Sequence, residues 1–259
     1  MKKFISALIV SACLLMLTSC SGGRVKNTVF TPEDLPNKRV GILNDTTTSH
    51  YLSDFEGDGM IVTPYWDSEE MLDDVTDGRL DCAIIDGAES DSALTGHPRL
   101  KLLEEPARDD GYSIVTARES SSMMKLIDNA LGELITDGTV PSIIDSYIQG
   151  TDYKYQSTDD GEHDRTLTLA LNYIGRPYSY TDENGQAAGI DIDIARAVCD
   201  KIDAGLEIRD GKGNDLIYMV RSGRADFALG RLTKDEENEE LAAFSQPYYT
   251  CRQVIIVRK

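Results

Sequence analysis

Short apolar runs alternate with amphipathic stretches along most of the chain. Residues 39–43, 60–65, 80–85, 112–116, 166–171, 206–209, 226–229 and 254–257 are brief hydrophobic segments bounded by polar or turn residues. Each predicts a strand, and the runs 80–85 and 254–257 predict buried strands. Residues 68–77 predict a helix with Met71, Leu72 and Val75 as its apolar stripe and Gly78 as its stop. Residues 120–136, 140–148, 191–202 and 214–222 predict further helices. The first of these stops at Asp137-Gly138, the last at Gly223. Asp45, the threonines 46–48 and Ser49 offer N-caps for a helix after the first strand.

Two stretches contain the same unit. In residues 71–83 and 216–228, Val75 matches Val220, Gly78 matches Gly223, Arg79 matches Arg224, Asp81 matches Asp226 and Ala83 matches Ala228, all at one constant spacing. Each unit is a helix, a glycine stop and a buried strand that opens with Asp. Repetition of one βα design predicts an α/β fold of two similar lobes, each a mainly parallel sheet flanked by helices. Ligands of such sheets sit at the carboxyl ends of strands, so two facing lobes define a cleft. Between the halves, residues 151–165 are polar and aperiodic and read as a flexible linker.

The amino terminus changes the picture of location. Lys2 and Lys3 precede an apolar stretch over residues 4–17, too short to span a bilayer and built like a signal peptide. It ends in Leu17-Thr18-Ser19-Cys20, which resembles the bacterial lipobox. That resemblance implies cleavage after residue 19, lipid on the Cys20 sulfur and a polar tether over 20–30. Lasting attachment needs more than one acyl chain. About 240 residues follow, enough for one large or two modest cores. The formal charge of −19 argues against nucleic acid and anionic lipid surfaces as partners. Cys82, Cys199 and Cys251 remain after the leader and Cys20 are set aside. Cys82 and Cys199 sit at apolar positions and read as buried small hydrophobes. An odd number with no short spacing argues against a disulfide framework or a zinc site, while an oxidising compartment allows one disulfide.

Pro177-Tyr178-Ser179-Tyr180-Thr181-Asp182-Glu183-Asn184-Gly185, followed by Gly189-Ile190-Asp191-Ile192-Asp193-Ile194-Ala195, resembles the opening of the polar-amino-acid solute-binding proteins of ABC transporters. Phe244-Ser245-Gln246-Pro247-Tyr248-Tyr249 is similar to that family's phrase before its first interlobe crossing. Val40-Gly41-Ile42 with Thr46-Thr47, Gly78-Arg79-Leu80-Asp81 with Asp86, and Asp137-Gly138-Thr139 resemble its later half. The order is reversed relative to the family, so the chain resembles a circular permutant opened in the interlobe segment, with 151–165 bridging the family's usual ends. Permutation is tolerated at exposed sites with few contacts. The rival explanation is two halves that pair with other chains by swapping. The resemblance implies a two-lobed periplasmic-binding-protein type II-like fold. One lobe would hold 31–112 plus 252–259 and the other 113–251. Two crossing strands, near 112–116 and 249–253, would form the hinge. It implies a monomer that closes on a small polar solute and delivers it to an ABC permease.

Site residues follow from the same resemblance. Asp86 matches the family's carboxylate for a ligand ammonium, a charge-assisted bond of roughly 1.5–3 kcal/mol; the bland alternative is a turn-forming Asp before Gly87. Thr46 and Thr47 fall where the family places donors to a ligand carboxylate, a role compatible with simple helix capping. Tyr178 matches an aromatic wall, and Tyr173 is a second candidate wall or an ordinary packing residue. The family's carboxylate-clamping Arg is missing: Glu236 or Glu237 stands there, and Gly213 and Asn214 replace an expected aromatic. A Glu repels a carboxylate. Arg231 is the candidate replacement, with Arg176 a weaker one; if neither serves, a cationic ligand fits better.

No other chemistry is signalled. His50, His97 and His163 lack metal spacing, and no serine-hydrolase or zinc-protease motif occurs. Asp191 and Asp193 read as helix-start caps. The sequence thus predicts a binding protein without cofactor or metal. A sensory or partner-binding module on the same fold is the alternative, and a dehydratase-like enzyme, kept open by Asp86, Glu236 and Glu237, the remoter one.

Overall fold

A computed structural model describes residues 25–43, 59–158, 161, 163–211 and 215–259. The leader, Cys20, most of the tether, Thr46, Thr47, His50, Gly213 and Asn214 lie outside the described residues.

The chain is α/β, as its pattern predicts. Its strands are β1 (Arg39–Leu43), β2 (Ile61–Tyr65), β3 (Cys82–Asp86), β4 (Leu100–Leu102), β5 (Arg108–Ala117), β6 (Thr166–Leu171), β7 (Tyr180–Thr181), β8 (Ala187–Ala188), β9 (Gly205–Asp210), β10 (Phe227–Ala228) and β11 (Ala242–Arg258). Its helices are α1 (Ser68–Asp77), α2 (Ser90–Thr95), α3 (Ser121–Thr136), α4 (Thr139–Ile148), α5 (Ile190–Lys201), α6 (Leu216–Arg221) and α7 (Glu236–Leu241). β7 and β8 form a separate hairpin. The other strands make one sheet in the order β2-β1-β3-β11-β5-β10-β6-β9, with β4 added to β11.

That order reads alike from either end. β1 lies parallel between β2 and β3, and β6 lies parallel between β9 and β10. Each trio meets a long antiparallel strand, β3 against β11 and β10 against β5. The long strands then pair with each other from Ala242↔Ala117 to Gln253↔Arg108. Four apolar clusters follow this division. Val40, Ile42, Cys82, Ile84, Ile255 and Val257 pack on one face of the first trio, and Met71, Leu72, Val75, Ala83 and Ile256 on the other. Leu169, Leu171, Ile194, Val198, Ile127 and Leu131 fill one face of the second trio, and Leu216, Ile217, Val220, Ala170 and Ala228 the other.

The sequence repeat has a structural cause. Gly78 and Gly223 both take left-handed backbone, φ 80 and 69, and end their helices. Arg79 N–H then donates to Asp74 O, and Arg224 N–H to Met219 O. Asp81 N–H donates to Arg39 O, while its Oδ2 accepts from Arg39 N–H at 2.9 Å. Asp226 repeats both bonds with Thr168, the second at 2.7 Å. Each Asp therefore locks the start of its strand to the central strand beside it, fixing register where parallel pairing begins.

Several expectations change. β3 starts at Cys82, because Leu80 N–H closes a turn onto Asp74 O, and Asp86 ends the strand. β11 runs far beyond residues 254–257, and β5 beyond 112–116. Their extra length is half-buried, broken by Pro247 and by register shifts around it, so no continuous apolar run marks it. α2 and β4 were not legible from the pattern. Asp191 and Asp193 do not cap α5: its N-cap is Gly189, without a side-chain cap bond. Asp193 instead accepts from Tyr147 and pairs with Arg196. Within 151–158, the Tyr155 hydroxyl and Thr158 N–H both donate to Asp200 Oδ2 on α5, which ties those two residues to the helix. Cys82, Cys199 and Cys251 are buried and form no disulfide with one another, unlike the one disulfide the compartment would allow; burial pushes the Cys82 thiol up to about 12.

Candidate functional site

Where the two trios meet along β5 and β11, the carboxyl ends of β3 and β10 bring polar side chains into the apolar interior. Asp86 ends β3 and is 4% exposed. Its backbone pairs with Gln253 of β11, and its Oδ1 accepts Ala88 N–H at 2.8 Å, opening a turn over Gly87–Glu89. Its Oδ2 accepts two hydroxyls, Tyr112 of β5 at 2.8 Å and Tyr178 of the loop after β6 at 2.7 Å. Gln253 donates to the Tyr112 oxygen. Tyr112, Tyr178 and Tyr249 form an aromatic cluster with ring centroids 5.8, 6.0 and 6.4 Å apart. Burial, with Asp86 next, holds the Tyr178 hydroxyl well above its ordinary range, so it stays a donor.

Arg231 completes the cluster from the other side. Leu229-Gly230 follows β10, and Gly230 (φ 140) and Arg231 (φ 57) both take positive φ. For a non-glycine residue this costs about 1–3 kcal/mol and persists where the surroundings over-determine it. Here Arg231 is 8% exposed, and its guanidinium lies 5.4 Å from the Tyr178 ring centre and donates to Glu89 Oε1 at 3.1 Å. Burial alone would lower the Arg231 pKa, but Glu89, Tyr112 and Asp86 outweigh it and the net shift is upward. Glu89 is raised, by burial first and by Asp86 last, against the pull of Arg231.

A third carboxyl stands close by. Asp191, in the first turn of α5, is fully buried; its Oδ1 accepts the Tyr248 hydroxyl at 2.7 Å, and its Oδ2 has no hydrogen-bond partner among the described residues. Burial pushes its pKa up to about 7, with Asp86 adding and Tyr248 and Arg231 opposing.

The structure therefore brings together Asp86, Tyr178 and Arg231 of the residues singled out from the sequence. Tyr173 is 41% exposed, and the Arg176 guanidinium stacks 3.8 Å over the Tyr180 ring; both stand outside this network. Glu236 is an exposed residue at the start of α7. Glu89, Tyr112, Tyr249 and Gln253 were missed. The three-residue spacing of Asp86 and Glu89 around Gly87, at the end of a buried strand, was the available signal. The described residues hold no group of three or more His, Cys, Asp or Glu side chains able to bind a metal, and none of their helices is long and apolar enough to cross a membrane.

A buried carboxylate held by two tyrosine hydroxyls thus lies at the joint of the two parallel trios. Comparison with known proteins gives matches to part of the chain. Residues 167–259 match the bacterial extracellular solute-binding proteins, family 3. The chain is similar to the arginine-binding extracellular protein ArtP of Bacillus subtilis (strain 168), 30% identical over 37% of this chain and 37% of that one. It is also similar to ABC transporter arginine-binding protein 1 of Escherichia coli (strain K12), 29% identical over 47% and 52% respectively. Among solved structures, an ancestral arginine-binding protein bound to glutamine matches 34% of this chain and 39% of that chain at 30% identity, with a TM-score of 0.32. The chain thus spans about a third to a half of the length of these relatives. The curated proteins it resembles are mostly amino-acid-binding proteins, with membrane-bound lytic murein transglycosylase F of Desulfosudis oleivorans also among them, 26% identical over 38% of this chain and 21% of that one.

Proposed function

We propose that the chain is an extracytoplasmic solute-binding protein that captures a small amine-bearing solute, an amino acid or a relative of one, and delivers it to an ABC permease. The observation that carries this reading is Asp86: a carboxylate 4% exposed, at a strand's carboxyl end, held by two tyrosine hydroxyls from different elements. A ligand ammonium replaces those hydroxyls, forming a charge-assisted bond that is stronger than a neutral one. β5 and β11 run from one set of core clusters to the other and serve as the hinge. A solute touching both sides shifts the balance toward closure by its differential affinity.

The trio order supports two lobes in one chain, completed without a swapped partner, as a circular permutant of the family would be. Lipid on Cys20 would hold the protein at the outer face of the membrane. A thermal-shift screen against amino acids, polyamines and small carboxylic acids tests the reading. Stabilisation by an amine-bearing member supports it. Stabilisation by carboxylic acids alone, or by nothing, contradicts it.

A further inference from the structure

The charge in this site does not balance. Asp86, Glu89 and Asp191 bring three carboxyls into a region where, among the described residues, Arg231 is the one buried guanidinium close enough to act on them, through an ion pair with Glu89 and at longer range on Asp86 and Asp191. The neighbouring Asp110 is already paired with Arg108 at 2.6 Å. Even with Asp191 neutral, two carboxylates face one cation. A buried charge without a counter-charge is costly, so such a site favours an incoming cation.

Arg231 is also committed. Its Nη1 donates to Glu89 Oε1 at 3.1 Å, with side-chain exposures of 7% and 21%. A ligand carboxylate arriving at Arg231 would have to displace Glu89 and leave it buried without its partner. A ligand carrying only an amine meets no such conflict. Glu89 is placed to act this way by its own turn: Asp86 caps Gly87–Glu89 through Ala88 N–H, and a Cβ on Gly87 would stand 2.8 Å from Arg252 O. The carboxylates at 86 and 89 are therefore held in fixed relation, one toward the tyrosines and one toward Arg231.

We infer that Glu89 is the residue that selects the ligand class. By occupying Arg231 it turns a site built on an amino-acid-binding plan toward amines that lack an α-carboxylate. This deepens the proposed function and rests on it.

The test uses matched pairs that differ only by the carboxylate: agmatine against L-arginine, and cadaverine against L-lysine. Each is titrated by calorimetry into the purified leaderless chain at neutral pH. The expected result is binding of the decarboxylated member at least tenfold tighter than its amino acid in at least one pair, and no pair in which the amino acid binds tighter. Glu89→Gln should then narrow or invert the preference, because the carboxylate paired with Arg231 is removed; Arg231→Met should preserve it. Equal or tighter binding of the amino acids by the unmodified chain would overturn the inference and leave capture standing. Binding of no member of either pair would overturn the inference together with the amine-capture reading. The unmodified chain decides the matter even where a variant fails to fold.

Discussion

The Tyr178 hydroxyl donates to Asp86 Oδ2 at 2.7 Å, tying the loop after β6 to the end of β3. These residues lie on opposite sides of the β11–β5 pair in the sheet order, so one hydrogen bond joins the two halves of the sheet. A second link, Arg231 to Glu89, runs the same way.

Removing the first link should show in stability. Tyr178→Phe deletes one donor to a buried carboxylate and should cost about 1.5–3 kcal/mol. Tyr218→Phe, on a ring 49% exposed, should change stability by no more than about 0.5 kcal/mol. Urea unfolding of the two variants beside the unmodified chain measures both.

The paired Asp locks at Asp81 and Asp226 should differ in strength. Asp81 accepts Arg39 N–H and two bonds from the Arg39 guanidinium, and lies 4.0 Å from the buried Arg258. Asp226 is exposed and accepts Thr168 N–H. Asp81→Ala should cost about 3 kcal/mol, and Asp226→Ala about 1 kcal/mol. Because the two sit in separate core clusters, the double variant should be close to additive in chemical denaturation.

Stability should fall as pH rises toward neutrality, through Asp191. Its folded pKa, about 7, stands above the unfolded value of 3.8. The native state therefore holds a proton that the unfolded state releases. The stability from this group is full below the unfolded pKa and is lost as pH rises through about 7. Asp81 works in the opposite sense: the Arg39 hydrogen bonds, the largest cause, lower its pKa, so its contribution is present above 3.8 and lost in acid. In melts between about pH 2 and pH 8, Asp191→Asn should flatten the decline toward neutral pH and leave the acid limb in place.

Much of this architecture was legible in residue order. The apolar runs at 39–43 and 166–171 are β1 and β6, and the repeat around Gly78 and Gly223 marked the two trios, because the glycine stop and the Asp lock are local chemistry. The long crossing strands were not legible over most of their length. Tyr248, Tyr249 and Gln253 lie in a strand whose pattern is interrupted by Pro247 and whose polar atoms are satisfied only in three dimensions. The site was legible in part for the same reason. Asp86 and Tyr178 stand in local phrases, whereas Glu89 acquires its meaning from Arg231, more than a hundred positions away. Asp191 shows the limit most clearly. At a helix start an Asp reads as a cap, yet its carboxyl accepts the Tyr248 hydroxyl from β11.

The most direct test of capture at this site is calorimetric titration of the unmodified chain and Asp86→Asn with the strongest stabiliser from the thermal-shift screen. We expect at least a tenfold loss of affinity in Asp86→Asn, with a cooperative melt retained. Equal affinity in the two proteins would contradict a ligand ammonium on Asp86.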